Sequence, residues 1–238
     1  MGIGDLKPAP PWHPAGQTFW NYHLVEVLVF LFLIVPSMVL SFLVQTRLGG
    51  LDFVSTASAI IVRDLALVSL VFYFIWRNGE SLRDLGWTWE NGWREVFLGV
   101  VLFLPFTFGA NFLENFLHYA GLSVETGPPA FLTVHGPAEI VLEIVLVTIV
   151  ALAEETIFRG YLLLRFKGAH LRPLAAVLLS SMIFSLGHGY EGTAGVITVG
   201  YMGLVFALLW LWRGSLVAPV ILHFLQDFSG IVLPALLK

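Results

Sequence analysis

Apolar residues run almost uninterrupted through this chain in stretches of about 20, as in LVEVLVFLFLIVPSMVLSFLV at 24–44. Alternation at every second residue, which a membrane β-barrel needs, is not the pattern. Continuous runs of roughly 18 or more apolar residues suit transmembrane helices. Lipid enforces the same choice, because each backbone N–H and C=O must find its partner within the segment. The chain therefore reads as all-α, a polytopic transmembrane bundle of about seven helices, within a range of six to eight. The spans fall at about 24–44, 58–76, 94–116, from 138 through the acidic pair at 154–155, and at 173–188, 195–212 and 215–236.

Composition narrows the function. Of 238 residues, 58% are hydrophobic and 12% charged, against about half and about a quarter in ordinary soluble domains. Too little polar surface remains to coat a water-soluble globule. A cytosolic enzyme, a disordered protein and a nucleic-acid partner are excluded, the last also by a net charge of −4. The absence of cysteine removes disulfides, thiolate metal sites and a cysteine nucleophile. Residues 1–23, Pro-rich and amphipathic, read as an ordered or semi-ordered cytoplasmic segment rather than a signal peptide, and 24–238 as one transmembrane domain. Trp87, Trp89 and Trp93 suit an interfacial belt. The stretch 119–137, with Gly and Pro, reads as a loop. Nine loop cations, Lys7, Arg77, Arg83, Arg94, Arg159, Arg165, Lys167, Arg172 and Arg213, fall on one side, and two, Arg47 and Lys238, on the other. The positive-inside rule then places the N-terminus and the 159–172 loop in the cytoplasm. Arg63, beside Asp64, lies within the second span.

Ionisable residues inside spans are costly and mark candidate sites. Three clusters stand out. In Ala153-Glu154-Glu155-Thr156-Ile157-Phe158-Arg159, Glu155 and Arg159 are four apart and share a helical face suited to an ion pair. Glu154 lies about 100° round the helix, away from that pairing, and a carboxylate so placed suits proton abstraction from water. The reading is Glu155 structural, Glu154 chemical. In Phe184-Ser185-Leu186-Gly187-His188-Gly189, the Phe184 ring can pack beside the His188 imidazole, and the glycines allow close helix approach. In His223-Phe224-Leu225-Gln226-Asp227, His223 and Asp227 share one face of the last helix. Singly, each cluster has a structural reading, as interhelical glue, a helix cap or a hydrogen-bonded pair. Together they place acid and imidazole groups on three helices of an otherwise apolar chain.

These residues, EE-x3-R, F-x3-H and H-x3-D in that order, resemble the CAAX prenyl protease and bacteriocin-processing family (CPBP, also called ABI). The resemblance covers about 138–230, which it marks as the catalytic core, and implies an intramembrane glutamic endopeptidase of multi-pass, prokaryotic plasma-membrane type. It implies that Glu154 and His188 activate a water for attack on a peptide carbonyl, that His223 and Asp227 line the oxyanion side, and that Glu155, Arg159 and Phe184 support them. The implied partners are the bilayer and a membrane-associated peptide or protein, CAAX-type or precursor. One departure is Asp227, where the prenyl-protease branch typically carries Asn. An anion there would repel a developing oxyanion, so Asp227 serves by being protonated, by orienting His223 or by helping to hold a metal.

No cofactor is expected, unless the site is a zinc centre. In that case His188, His223 and either Glu154 or Asp227 would supply two imidazoles and a carboxylate, although no HExxH is present. A non-catalytic immunity or scaffold protein of the same fold would also carry these motifs, and a small proton-coupled transporter would use a buried Glu154. Depth adds an expectation. His223 lies eight residues past Ser215, roughly 12 Å along a helix. It can meet Glu154 only if the fourth helix continues through Leu164, which predicts one continuous helix from about 138 to 166. Glu139 and Glu143 are expected at the outer interface, and Asn111, Glu114, Asn115 and His118 at an amphipathic helix end.

Overall fold

The structure, a computed structural model, describes residues 23–35, 52–124 and 133–237. Among these residues it contains helices and no strand. Helix α1 spans His23–Val35. It is followed by α2 (Phe53–Arg77), α3 (Gly92–Tyr119), α4 (Pro137–Glu154) and α5 (Leu163–Gly168). Then come α6 (Pro173–Leu186), α7 (Gly192–Arg213), α8 (Val217–Asp227) and α9 (Leu233–Leu236). A π-helical segment, Glu155–Leu162, joins α4 to α5, and another, Phe228–Val232, joins α8 to α9. Counted as unbroken helical runs among the described residues, these make the seven expected. The segment 1–22, the rest of the first span and residues 125–132 of the 119–137 loop lie outside the described residues.

Local chemistry sets the helix boundaries. The Asp52 side chain accepts the Ser55 N–H at 3.1 Å and so caps α2. Pro137 and Pro173 stand at the first position of α4 and α6, where a missing N–H costs nothing. Gly214 closes α7 in the left-handed region at φ 63°, its N–H donating to the Trp210 carbonyl at 2.7 Å.

Four helical runs, 53–77, 92–119, 189–213 and 217–236, are long and apolar enough to cross a bilayer. They present a wide apolar exterior. On α3 alone Phe97, Leu104, Phe108 and Phe112 are exposed, a surface that water would not tolerate and lipid does. The molecule is an integral membrane protein.

The packing brings the chemistry-bearing helices together. Helix α2 lies along α4, α3 along α8, and α6 along α7. At Gly99 of α3 an added Cβ would come within 2.9 Å of the Ala218 carbonyl oxygen of α8. Small residues let backbones approach this closely in a membrane bundle. A core built on Phe158, Tyr161, Phe166, Val177, Phe184 and Val199 fills the space between α4–α5, α6 and α7.

A buried ionic clamp holds one end of the bundle. Arg165 meets Glu80 through Nη1 at 2.8 Å and Nη2 at 2.7 Å, and meets Glu26 through Nε at 2.5 Å. Arg77 and Asn78 reach the same Glu26 at 3.0 and 2.9 Å. The clamp ties α1, the end of α2 and α5 into one unit.

The continuous fourth helix is present, running without a break from Pro137 to Gly168. Its π-helical middle departs from the regular α-helix that the spacing predicts. Arg159 and Arg165, read as loop cations, are instead 1% and 0% exposed inside this helix. Glu139 lies in the first turn of the helix and accepts the His135 N–H at 2.6 Å. Glu143, one turn further on, is buried rather than interfacial.

Candidate active site

The acidic pair sits where α4 passes into the π-segment. There the neighbouring side chains diverge. Glu155 is wholly buried, and its Oε1 lies 2.9 Å from Arg159 Nη1. The same oxygen lies 2.9 Å from His223 Nδ1. Glu154 points elsewhere, with 16% of its side chain exposed and Oε2 3.7 Å from His223 Nε2. The two carboxylates thus face opposite nitrogens of one imidazole, Glu155 the inner and Glu154 the outer.

Aromatic rings fix this arrangement from the sides. The Arg159 guanidinium lies 4.1 Å from the Phe184 ring centre and 4.9 Å from that of Phe206. Cation–π attraction of this kind reaches about 2 kcal/mol or more where water is excluded. Phe206 in turn stacks on His223 at 5.1 Å with an 18° interplanar angle. Phe184 meets His223 edge-on at 6.0 Å and lies 5.0 Å from His188. One phenyl ring therefore contacts Arg159 and both imidazoles.

His188 follows the end of α6. Its Nδ1 lies 3.1 Å from the Phe184 carbonyl oxygen. A carbonyl only accepts, so Nδ1–H donates to it and Nε2 is the ring nitrogen not used in that bond. On α8, Asp227 Oδ2 lies 3.5 Å from His223 Nε2. Asp227 and Glu154 approach the same imidazole nitrogen.

Glu154, His188, His223 and Asp227 all line one cavity of about 200 Å³, walled by Phe158, Phe184 and aliphatic residues of α2 and α4. That space admits several waters, at about 30 Å³ each. Glu155 and Arg159 lie behind its wall. The cavity joins a carboxylate, an imidazole nitrogen able to accept a proton and a second imidazole anchored by buried acid. Such a set can deprotonate water and polarise a carbonyl. Among the described residues no three His, Asp or Glu side chains are grouped so as to hold a metal ion.

The cavity also contains residues that the motifs do not bring to it. Arg63 and Asp64 of α2 line it, as do Tyr190 and Glu191 just beyond His188. The charged pair within the second span is visible as an anomaly in the sequence, but nothing local ties it to Glu154. Phe206 gives no signal, being one of 20 phenylalanines. The polar positions of α3 from Asn111 to His118 are exposed or half-buried and do not line the cavity.

Residues 136–229, which include all three motifs, match the model of a family described as type II CAAX prenyl endopeptidase Rce1-like. The family resemblance read from the motifs is borne out over that segment. No curated protein and no solved structure matches the chain.

Proposed function

We propose that the chain is an intramembrane endopeptidase of the CAAX-processing kind, cutting membrane-associated peptides with a water activated by Glu154. The carrying observation is the convergence of Glu154, His188 and His223 on one cavity inside an apolar bundle. The match to an endopeptidase family over residues 136–229 supports the same reading.

Each residue has its own task. Glu154, with His188 beside it, takes a proton from water, and the oxygen of that water attacks the peptide carbonyl. Negative charge then develops on the carbonyl oxygen, and His223 offers it an N–H from Nε2. Collapse of the tetrahedral intermediate breaks the C–N bond, and the proton held by Glu154 passes to the departing amine. Glu155 fixes the ring of His223 through Nδ1, as second partners do for catalytic histidines. Asp227, 3.5 Å from the same ring, orients His223, which answers the difficulty of an acid where the prenyl-protease branch carries Asn. Arg159 neutralises Glu155 so that two adjacent carboxylates can coexist in the membrane.

The test is cleavage of a membrane-anchored peptide by the purified protein in liposomes, run in water enriched in ¹⁸O with and without a chelator. Cleavage that survives chelation and places one ¹⁸O in the new carboxylate is expected. Absence of cleavage for every anchored peptide tried would overturn the hydrolase reading. Loss under chelation with recovery on adding zinc would replace the metal-free mechanism with a zinc-dependent one.

A further inference from the structure

Arg63 stands in the middle of α2, a helix packed along α4, and lines the same cavity as Glu154. Its guanidinium is only partly engaged. Nε and Nη2 both lie 2.8 Å from a single oxygen, Oδ1 of Asp64. Nη1 has no partner among the described residues, and the side chain remains 30% exposed. A satisfied Arg–carboxylate pair uses both oxygens against two nitrogens in a planar fork. Here the second oxygen, Asp64 Oδ2, is buried without a hydrogen bond. The geometry is that of an arginine held in place by one acid while keeping an edge for another.

The rest of the lining says what that other group is. Asp64, Glu154, Glu191 and Asp227 contribute acids to the cavity, and Arg63 is its one Lys or Arg among the described residues. An anionic ligand group is repelled over most of this surface and attracted at Arg63. The guanidinium is also near enough to Glu154 for its charge to be felt. With the carbonyl of a bound peptide met by Glu154 and His223, Arg63 is the cation left in the lining for a terminal negative charge.

We infer that Arg63 is a specificity-determining residue that binds the free C-terminal carboxylate of the peptide substrate, with Asp64 holding its guanidinium in position. The inference rests on the endopeptidase reading above and adds to it the group that fixes where the substrate ends. Arg63 then anchors the leaving fragment while Glu154 and the imidazoles address the bond. A lysine, as a point charge, would replace this fork incompletely.

The experiment uses paired membrane-anchored peptides of one sequence, ending in a free carboxylate or in a carboxamide. Binding is measured to the full-length protein by fluorescence and cleavage by product analysis. For the wild type, the acid is expected to bind at least tenfold more tightly than the amide, with the difference appearing in KM more than in kcat. In Arg63→Gln that preference is lost and both peptides behave as the wild-type amide does. Arg63→Lys retains part of it. Equal binding of acid and amide by the wild type overturns the inference without requiring any variant to fold. A preference that persists in Arg63→Gln overturns it as well, as does an amide peptide with an acidic side chain near its end that binds as tightly as the free acid. Binding that depends on Arg63 and the free carboxylate, but with no cleavage of either peptide, sustains the inference and overturns the hydrolase reading alone.

Discussion

His223 is gripped at both nitrogens by acids from a helix 68 positions away in sequence. That Glu155 rather than Glu154 joins the ion pair was legible in the sequence, because the four-residue spacing to Arg159 assigns Glu155 to it and leaves its neighbour about 100° away. The bond from Glu155 to His223 was not legible, since no local period relates residues on α8 to residues at the end of α4. Phe206 was illegible for the same reason, as its meaning comes only from the Arg159 and His223 planes it touches. A buried charge that loses its partner costs about 3–5 kcal/mol, whereas replacing both members by apolar groups is often nearly neutral. Glu155→Ala should therefore lower stability by about that amount in chemical denaturation. The paired change Glu155→Leu with Arg159→Met should restore most of the stability and none of the peptide cleavage, because His223 Nδ1 still lacks its acceptor. Stability and activity recovering together would show Glu155 to be packing alone.

Helices α3 and α8 meet so closely at Gly99 that the position of His223 depends on a hydrogen atom standing where any side chain would collide. An added Cβ there would lie 2.8 Å from Ile221 Cβ and 2.9 Å from the Ala218 carbonyl oxygen. Gly99→Val should displace α8, with a cost of about 1–3 kcal/mol for overpacking and a disproportionate fall in kcat, since α8 carries His223 and Asp227 (measured by thermal unfolding alongside turnover). Unchanged turnover would mean that α8 tolerates the shift and that the imidazole is not set by this contact. At this scale the sequence revealed much. Apolar runs located the helices, and the distance of His223 from Ser215 demanded the long helix that is observed. The π-segment at Glu155–Leu162 escaped, because side-chain propensities scarcely distinguish an i→i+5 from an i→i+4 backbone bond, and such segments reflect tertiary demands at functional sites. Here the segment begins at the second of the two glutamates and includes Arg159.

The bundle as a whole was evident from composition: a chain with 12% charged residues has no aqueous fold to adopt. Its orientation follows from the loop cations, of which Arg159 and Arg165 no longer count because both are buried. We propose that the end of α5 faces the cytoplasm and the end of α3 the opposite side. The absence of cysteine makes single-thiol labelling clean. Lys167→Cys should react with an impermeant maleimide only in inside-out vesicles and Tyr119→Cys only in right-side-out ones. The reverse pattern would invert the topology, and the cavity would then draw its substrates from the other face. The proposed mechanism depends on the carboxylate that the bundle keeps in one cavity with two imidazoles. The most direct measurement is single-turnover cleavage of an anchored peptide by wild type and by Glu154→Gln, with folding verified by matched thermal unfolding. A rate lower by about 10²–10⁴-fold in the variant is predicted, the range that general-base catalysis supplies. A folded Glu154→Gln that cleaves at the wild-type rate would contradict the mechanism.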